Sequence, residues 1–332
     1  MRRRVLVTGG TGFVGANLVR RLLADGHAVH LLVRPTPTAW RLADVRSDVV
    51  MHRASLDDRA AVERAVARVK PEWVFHLAVH GAYSWETDLD RIVATNLVGT
   101  VNLVRACLRT GFEALVHAGS SSEYGMKTKA PGERAWVEPN SHYAVMKVAA
   151  THFCRLTAQQ ERVKIATLRL YSVYGPWEDP GRFVPALVTQ GLAGTLPPLV
   201  DPRVARDYVY VDDVSEAFVR AAVKPHPEPG PIFNVGTGKQ TTIREAVDVA
   251  RRVLKIATPP QWGTMPNRRW DTSSWVADTR AIRSALGWTP RYTFERGFRS
   301  TVTWMRADPT RAAWYRNAQR RQASHQPTST PR

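Results

Sequence analysis

Val5-Leu6-Val7-Thr8-Gly9-Gly10-Thr11-Gly12-Phe13-Val14-Gly15 is the stretch on which the reading of this chain turns. Three apolar residues make a short buried strand, and Val14, Leu18, Val19, Leu22 and Leu23 follow at helical spacing. Gly9, Gly12 and Gly15 lie between the two. Missing side chains there allow a tight turn, close approach of the backbone to a pyrophosphate, and close packing of helix on strand. The start of the helix then offers backbone N–H groups and a positive dipole end to phosphates. Gly26, after Asp25, closes the helix.

The pattern repeats outward. Further strands are predicted at 29–33, 73–77, 115–118 and 165–168, separated by helical stretches at 58–69, 91–109 and 141–160. Strands alternating with helices of this length predict an α/β fold around a doubly wound parallel sheet. After residue 170, prolines at 176, 180, 185, 197, 198 and 202 break regular structure, and strand-like pieces return at 207–211 and 232–235. The expected organisation is a dinucleotide-binding domain over 1–170, rejoined by segments near 207–235, and a smaller, interleaved C-terminal substrate domain over 171–305. Residues 306–332 carry six arginines against Asp308 and lose periodicity, so they are expected to form a basic, disordered tail.

Composition narrows the function classes. No apolar run approaches the length of a membrane span, and the three N-terminal arginines run straight into the first strand, leaving no room for a signal-peptide core. A cytoplasmic protein without membrane contact is expected. Cys107 and Cys154 fit buried free thiols in a reducing compartment, and no metal motif occurs. The net charge of +18 has a local part at the two ends; the rest is dispersed, without the aromatic-interleaved basic stripe of a nucleic-acid binder. An anionic small substrate suits it as well.

Tyr143-Ala144-Val145-Met146-Lys147 follows a serine run at Ser120-Ser121-Ser122. Residues four apart share a helix face, so Tyr143 and Lys147 can reach one ligand. The ammonium of Lys147 is expected to favour the phenolate of Tyr143 and draw its pKa from about 10 toward neutrality, making it a general acid or base. Cofactor choice normally rests on an acid at the end of the second strand, which binds the ribose 2′-hydroxyl of NAD. Arg34 stands there, and with Arg41 it suits the 2′-phosphate of NADP, which leans the expectation to NADP with NAD as the alternative.

These motifs, in order, resemble the extended short-chain dehydrogenase/reductase family of nucleotide-sugar epimerases, dehydratases and ketoreductases. The likeness runs from about Val5 to Trp304. It takes in His76-Leu77-Ala78, Thr95-Asn96-Leu97-Val98-Gly99-Thr100, Glu123-Tyr124-Gly125, Arg169-Leu170-Tyr171-Ser172-Val173-Tyr174-Gly175-Pro176, Arg206-Asp207-Tyr208-Val209-Tyr210-Val211-Asp212-Asp213, Asn234-Val235-Gly236-Thr237-Gly238 and Leu286-Gly287-Trp288-Thr289-Pro290. The resemblance implies a Rossmann-like fold and an enzyme that oxidises or reduces C4 of a nucleoside-diphosphate sugar, as a 4-epimerase or 4-ketoreductase. It makes Ser120, Tyr143 and Lys147 catalytic. It places Gly9, Gly12, Phe13, Val14, Gly15, Arg34, Leu56, Leu77, Ala78 and Asn96, with Tyr143 and Lys147, around the cofactor. Ser120, Ser121, Ser172, Arg206 and Arg268 fall on the substrate, the two arginines as a bidentate pair for its diphosphate. It also implies a homodimer through the helices 91–109 and 141–160.

Two departures stand out. Ser172 replaces an asparagine that many relatives set on the diphosphate. The 4,6-dehydratases need an acid two residues after the catalytic Ser/Thr to remove the C5 proton; Ser122 occupies that place, and Glu123 is one position further on. The dehydratase is therefore the alternative enzyme, and a nucleotide-sensing protein with a vestigial site the alternative of another class. The sugar and base contacts are expected from 80–85, 177–183 and 197–203, with Trp177 and Trp270 as stacking candidates.

Overall fold

A computed structural model describes residues 1–83, 85–266, 272 and 274–324. Seven parallel strands form the main sheet: β1 (Arg4–Thr8), β2 (Ala28–Val33), β3 (Val49–Arg53), β4 (Trp73–His76), β5 (Ala114–Ser120) and β6 (Ile165–Leu170), with β10 (Ile232–Val235) at its far edge. Their order is β10-β6-β5-β4-β1-β2-β3, so the connections reverse direction between β1 and β4 and open a crevice at the carboxyl ends of those strands. The edge strand β3 is not predicted from its residues, because Val-Val-Met-His-Arg lacks the continuous apolar run of a doubly covered strand and Val50 is exposed.

One helix layer consists of α1 (Phe13–Ala24), α7 (Val211–Val223) and α9 (Arg280–Leu286); the other contains α2 (Arg59–Val69), α4 (Gly99–Thr110) and α5 (His142–Glu161). The predicted helix over 91–109 is broken into α3 (Leu89–Val93), a π-turn (Ala94–Val98) and α4. Such π-turns are rare and gather at functional sites. The core of the first layer includes Val214, Phe218, Ile282, Leu286 and Trp288. The chain thus returns to the sheet over 207–235 and again near 280–288, a second return that the sequence pattern does not reveal.

The smaller part is built from β7 (Ser172–Tyr174) paired with β9 (Tyr208–Tyr210), β8 (Ala205–Arg206) paired with β11 (Thr241–Thr242), and the helices α6 (Phe183–Gly191), α8 (Ile243–Leu254), α10 (Phe294–Arg306) and α11 (Pro309–Ser324). Its core holds Tyr174, Leu187, Val247, Phe298, Val302 and Tyr315. The presence of Tyr315 there corrects the expected disorder of the tail: 309–324 is a helix, held by one buried aromatic face despite its basic composition. Residues 325–332 lie outside the described residues. Among the described residues, no helix is long and apolar enough to cross a membrane.

Candidate active site

The glycine loop is shaped by two close approaches. Gly9 has φ +70°, and a Cβ there would lie 2.5 Å from the backbone of Leu77 and Ala78 on the neighbouring strand end. A Cβ on Gly15 would lie 2.2 Å from the Gly9 carbonyl oxygen. Neither position admits a side chain, so the first turn of α1 sits hard against the end of β1. The result is a cradle of backbone N–H groups suited to a pyrophosphate. It opens into a cavity of 1270 Å³ that continues past β4 and β5 to residues of the smaller part such as Arg206 and Tyr208.

The expected cofactor residues Gly9, Gly12, Phe13, Val14, Gly15, Arg34, Leu56, Leu77 and Ala78 all line this cavity. Asn96 does not line it. It lies buried in the π-turn, its Nδ2 donating to the His80 carbonyl at 2.8 Å and its Oδ1 accepting from the His80 N–H at 2.9 Å. It therefore holds the loop after β4, which Glu86 holds again through the N–H groups of Gly81 (3.0 Å) and Tyr83 (3.2 Å). Arg34, at the end of β2, is exposed on the rim. Arg41 is already occupied: its Nε donates to the Trp177 carbonyl at 2.7 Å, and its guanidinium stacks 4.3 Å from the Trp40 ring centroid.

Ser120 ends β5, and Tyr143 and Lys147 stand one helical turn apart on α5, whose first turn is capped by Ser141 accepting from the Ala144 N–H at 3.2 Å. All three line the cavity, and Ser120 is the neighbour that most favours the Tyr143 phenolate. The electrostatics differ from the expectation. Burial pushes Tyr143 up to about 12, tempered by Ser120, and pushes the Lys147 ammonium down to about 8. Lys147 donates to the Ala118 carbonyl at 2.8 Å, and burial is the largest influence on Tyr143. The protein alone does not bring this tyrosine to neutrality, because loss of water around the phenolate outweighs a charge directed elsewhere.

Glu123 is not a base for the cavity. It is fully buried, and its Oε2 pairs with Arg169 Nε at 2.8 Å. Its Oε1 accepts from the Ser120 N–H at 2.9 Å and the Thr151 hydroxyl at 3.0 Å. Both oxygens are spent on fixing the end of β5, while the neighbouring Ser122 lines the cavity.

On the substrate side, Ser121, Ser172 and Arg206 line the cavity. The Ser121 hydroxyl accepts from the Trp275 indole at 3.2 Å, and the Arg206 guanidinium lies 5.7 Å from the Trp275 ring centroid. Beside Arg206, the buried Asp207 carboxylate gathers the N–H groups of Thr237 (2.7 Å), Gly238 (2.9 Å) and Ala277 (3.0 Å). This joins two motifs that lie some thirty residues apart in the chain. Arg268 and Trp270 lie outside the described residues. Trp177 packs against Trp40 and Trp304 and is not among the cavity residues. Asp57, Tyr83, Glu178 and Arg182 do line the cavity and carry no motif of their own; only the variable segments around 80–85 and 177–183 hinted at the last three.

The sequence pattern of the NAD dependent epimerase/dehydratase family matches residues 5–236. The chain belongs to that family. It is accordingly an enzyme working with a nicotinamide cofactor, and the cradle around Gly9 and Gly15 fits one. It is similar to the UDP-glucose 4-epimerase of Mycolicibacterium smegmatis, 33% identical over 91% of this chain and 98% of the relative. A dTDP-glucose 4,6-dehydratase of Xanthomonas campestris is 28% identical over 92% and 93% of the two chains. Among solved structures, the Thermus thermophilus UDP-glucose 4-epimerase in complex with NAD superposes with a TM-score of 0.81 at 33% identity, covering 92% of this chain and 99% of that one.

Proposed function

We propose that the protein is an NAD-dependent 4-epimerase of a nucleoside-diphosphate hexose. The observation that carries this reading is the burial of Glu123 against Arg169, which leaves Ser122 where a dehydratase needs its acid while Ser120, Tyr143 and Lys147 stand together in the cavity. Elimination of water across C5 and C6 requires a base on the C5 proton, and a serine hydroxyl is too weak a base.

In this reading Tyr143 exchanges the proton of the C4 hydroxyl, Ser120 holds the same oxygen, and Lys147 fixes the cofactor ribose from the floor of the site. The cofactor supplies hydride acceptance and return, and in its oxidised form a positive ring charge that favours the phenolate. Arg206 and Arg268 take the substrate diphosphate, with Ser172 reaching it through water. NAD is favoured over NADP because Arg41 is engaged with Trp177 and the Thermus relative was solved with NAD. Arg34 on the rim favours a second reading, a 4-ketoreductase using NADPH. A homodimer is supported by the exposed apolar residues Val98, Val145 and Leu156 on the π-turn and α5.

The test is product analysis on a panel of UDP- and dTDP-hexoses with either cofactor. C4 epimers formed without net cofactor use uphold the epimerase; consumption of NADPH with a 4-keto sugar moves the assignment to the reductase. A 4-keto-6-deoxy product, lighter by one water, overturns both.

A further inference from the structure

The segment 176–182 contributes Glu178, Asp179, Gly181 and Arg182 to the cavity wall, and four of its carbonyls are held by side chains from elsewhere. Pro176 accepts from Asn17 Nδ2 at 2.9 Å and Trp177 from Arg41 Nε at 2.7 Å. Glu178 accepts from the Tyr315 hydroxyl at 2.8 Å, and Pro180 from Gln319 Nε2 at 2.8 Å. The first two donors belong to the cofactor side of the molecule; the second two belong to α11. Trp177 has φ +68°, a left-handed conformation that a bulky residue keeps only where its surroundings enforce it.

The helix that supplies Tyr315 and Gln319 is itself firmly seated. Tyr315 is 1% exposed, with the rings of Trp40, Trp304 and Trp314 packed around it. The Thr189 hydroxyl on α6 lies 3.0 Å from Gln319 Oε1, and the amide nitrogen of the same side chain donates to the Pro180 carbonyl. The segment so held carries polar groups toward the reacting end of the cavity. The Arg182 guanidinium lies 5.9 Å from the Tyr83 ring centroid, and both residues line the cavity together with Tyr143. Glu178 is 5% exposed; its Oε1 lies 3.7 Å from Arg182 Nε, and its Oε2 has no hydrogen-bond partner among the described residues.

We propose that α11 is a positioning element of the active site, in which Tyr315 and Gln319 set the backbone of 177–182 and thereby place Arg182 and Glu178 against the reacting end of the sugar. The proposal rests on the nucleotide-sugar reading above. It assigns a role to a helix that lies beyond the family match, which ends at residue 236. Asn17 and Arg41 tie the same segment to the cofactor side, so one strap spans both halves of the cavity.

The experiment uses the full chain carrying Tyr315→Phe and Gln319→Leu, which remove the donors and keep the packing; Tyr315→Phe alone replaces the pair if the double variant does not fold. KM for the nucleotide sugar is expected to rise roughly tenfold, as for displaced substrate-positioning groups, with NAD affinity by calorimetry unchanged. Amide exchange should quicken over 178–184 and stay unaltered in the glycine loop. Arg182→Ala should raise the same KM, and adding the α11 substitutions to it should raise KM little further, the non-additivity of coupled residues. A lower melting temperature with KM and kcat both unchanged, or fully additive effects with Arg182→Ala, overturns the proposal. If the wild type turns over no nucleotide hexose, the functional reading fails by itself. The exchange comparison then decides: unchanged rates over 178–184 overturn the positioning role of α11, and quickening confined to them upholds it.

Discussion

Glu123 and Arg169 form an ion pair at 2.8 Å with both side chains at most 1% exposed, and this pair also holds the backbone of Ser120 through the second carboxylate oxygen. A charge buried this deeply is tolerated only while its partner remains. Arg169→Met should therefore destabilise the fold by about 3 to 5 kcal/mol, the cost of an uncompensated buried charge. A urea midpoint equal to that of the wild type would show that the pair does not support the end of β5.

Tyr143→Phe keeps the ring and removes the hydroxyl of a residue that lines the cavity together with Ser120. Turnover should fall by roughly two to four orders of magnitude, the range for loss of a general acid or base, while calorimetric binding of the nucleotide sugar changes little. Turnover close to normal removes Tyr143 from the chemistry.

Arg34 on the rim of the cavity gives a separate test of cofactor choice. In the epimerase reading the wild type binds NAD more tightly than NADP, and Arg34→Asp weakens NADP further by replacing a cation with an anion near a 2′-phosphate. NAD binding is spared. Titration showing NADP preferred by the wild type, and lost in the variant, transfers the assignment to the reductase.

Glu178 gives a pH dependence of known sign. Burial raises its carboxyl to about 8, so the folded protein holds this proton where the unfolded chain has released it. The stability this confers is present at low pH and is lost as pH rises from about 4.5 through 8. Glu178→Gln, a neutral mimic of the protonated acid, should gain melting temperature relative to the wild type across that window. Parallel curves for the two proteins between pH 5 and 8 would contradict the buried, protonated state.

Some of this protein is legible because it is written locally. The glycine loop, the alternation of strand and helix, and the Tyr143-to-Lys147 spacing each depend on neighbours within a few residues, where backbone sterics and period leave few alternatives. The fold class follows from them, as does the place of the glycines, Tyr143 and Lys147 in the cavity, whereas Asp57, Tyr83, Glu178 and Arg182 line it without a local motif. Other features needed the folded chain. Glu123 stands one position from where a dehydratase acid would matter, and only its pairing with Arg169, forty-six residues later, takes it out of the chemistry. Lys147 has the spacing to lower the pKa of Tyr143, yet the depth of burial decides the direction. The arginine-rich tail reads as disordered because its composition is averaged over all its faces, whereas a helix is ordered by one face alone, here the one bearing Tyr315 and Gln319. Periodicity is a property of adjacent residues; partnership and desolvation are settled by residues the chain brings together from far apart.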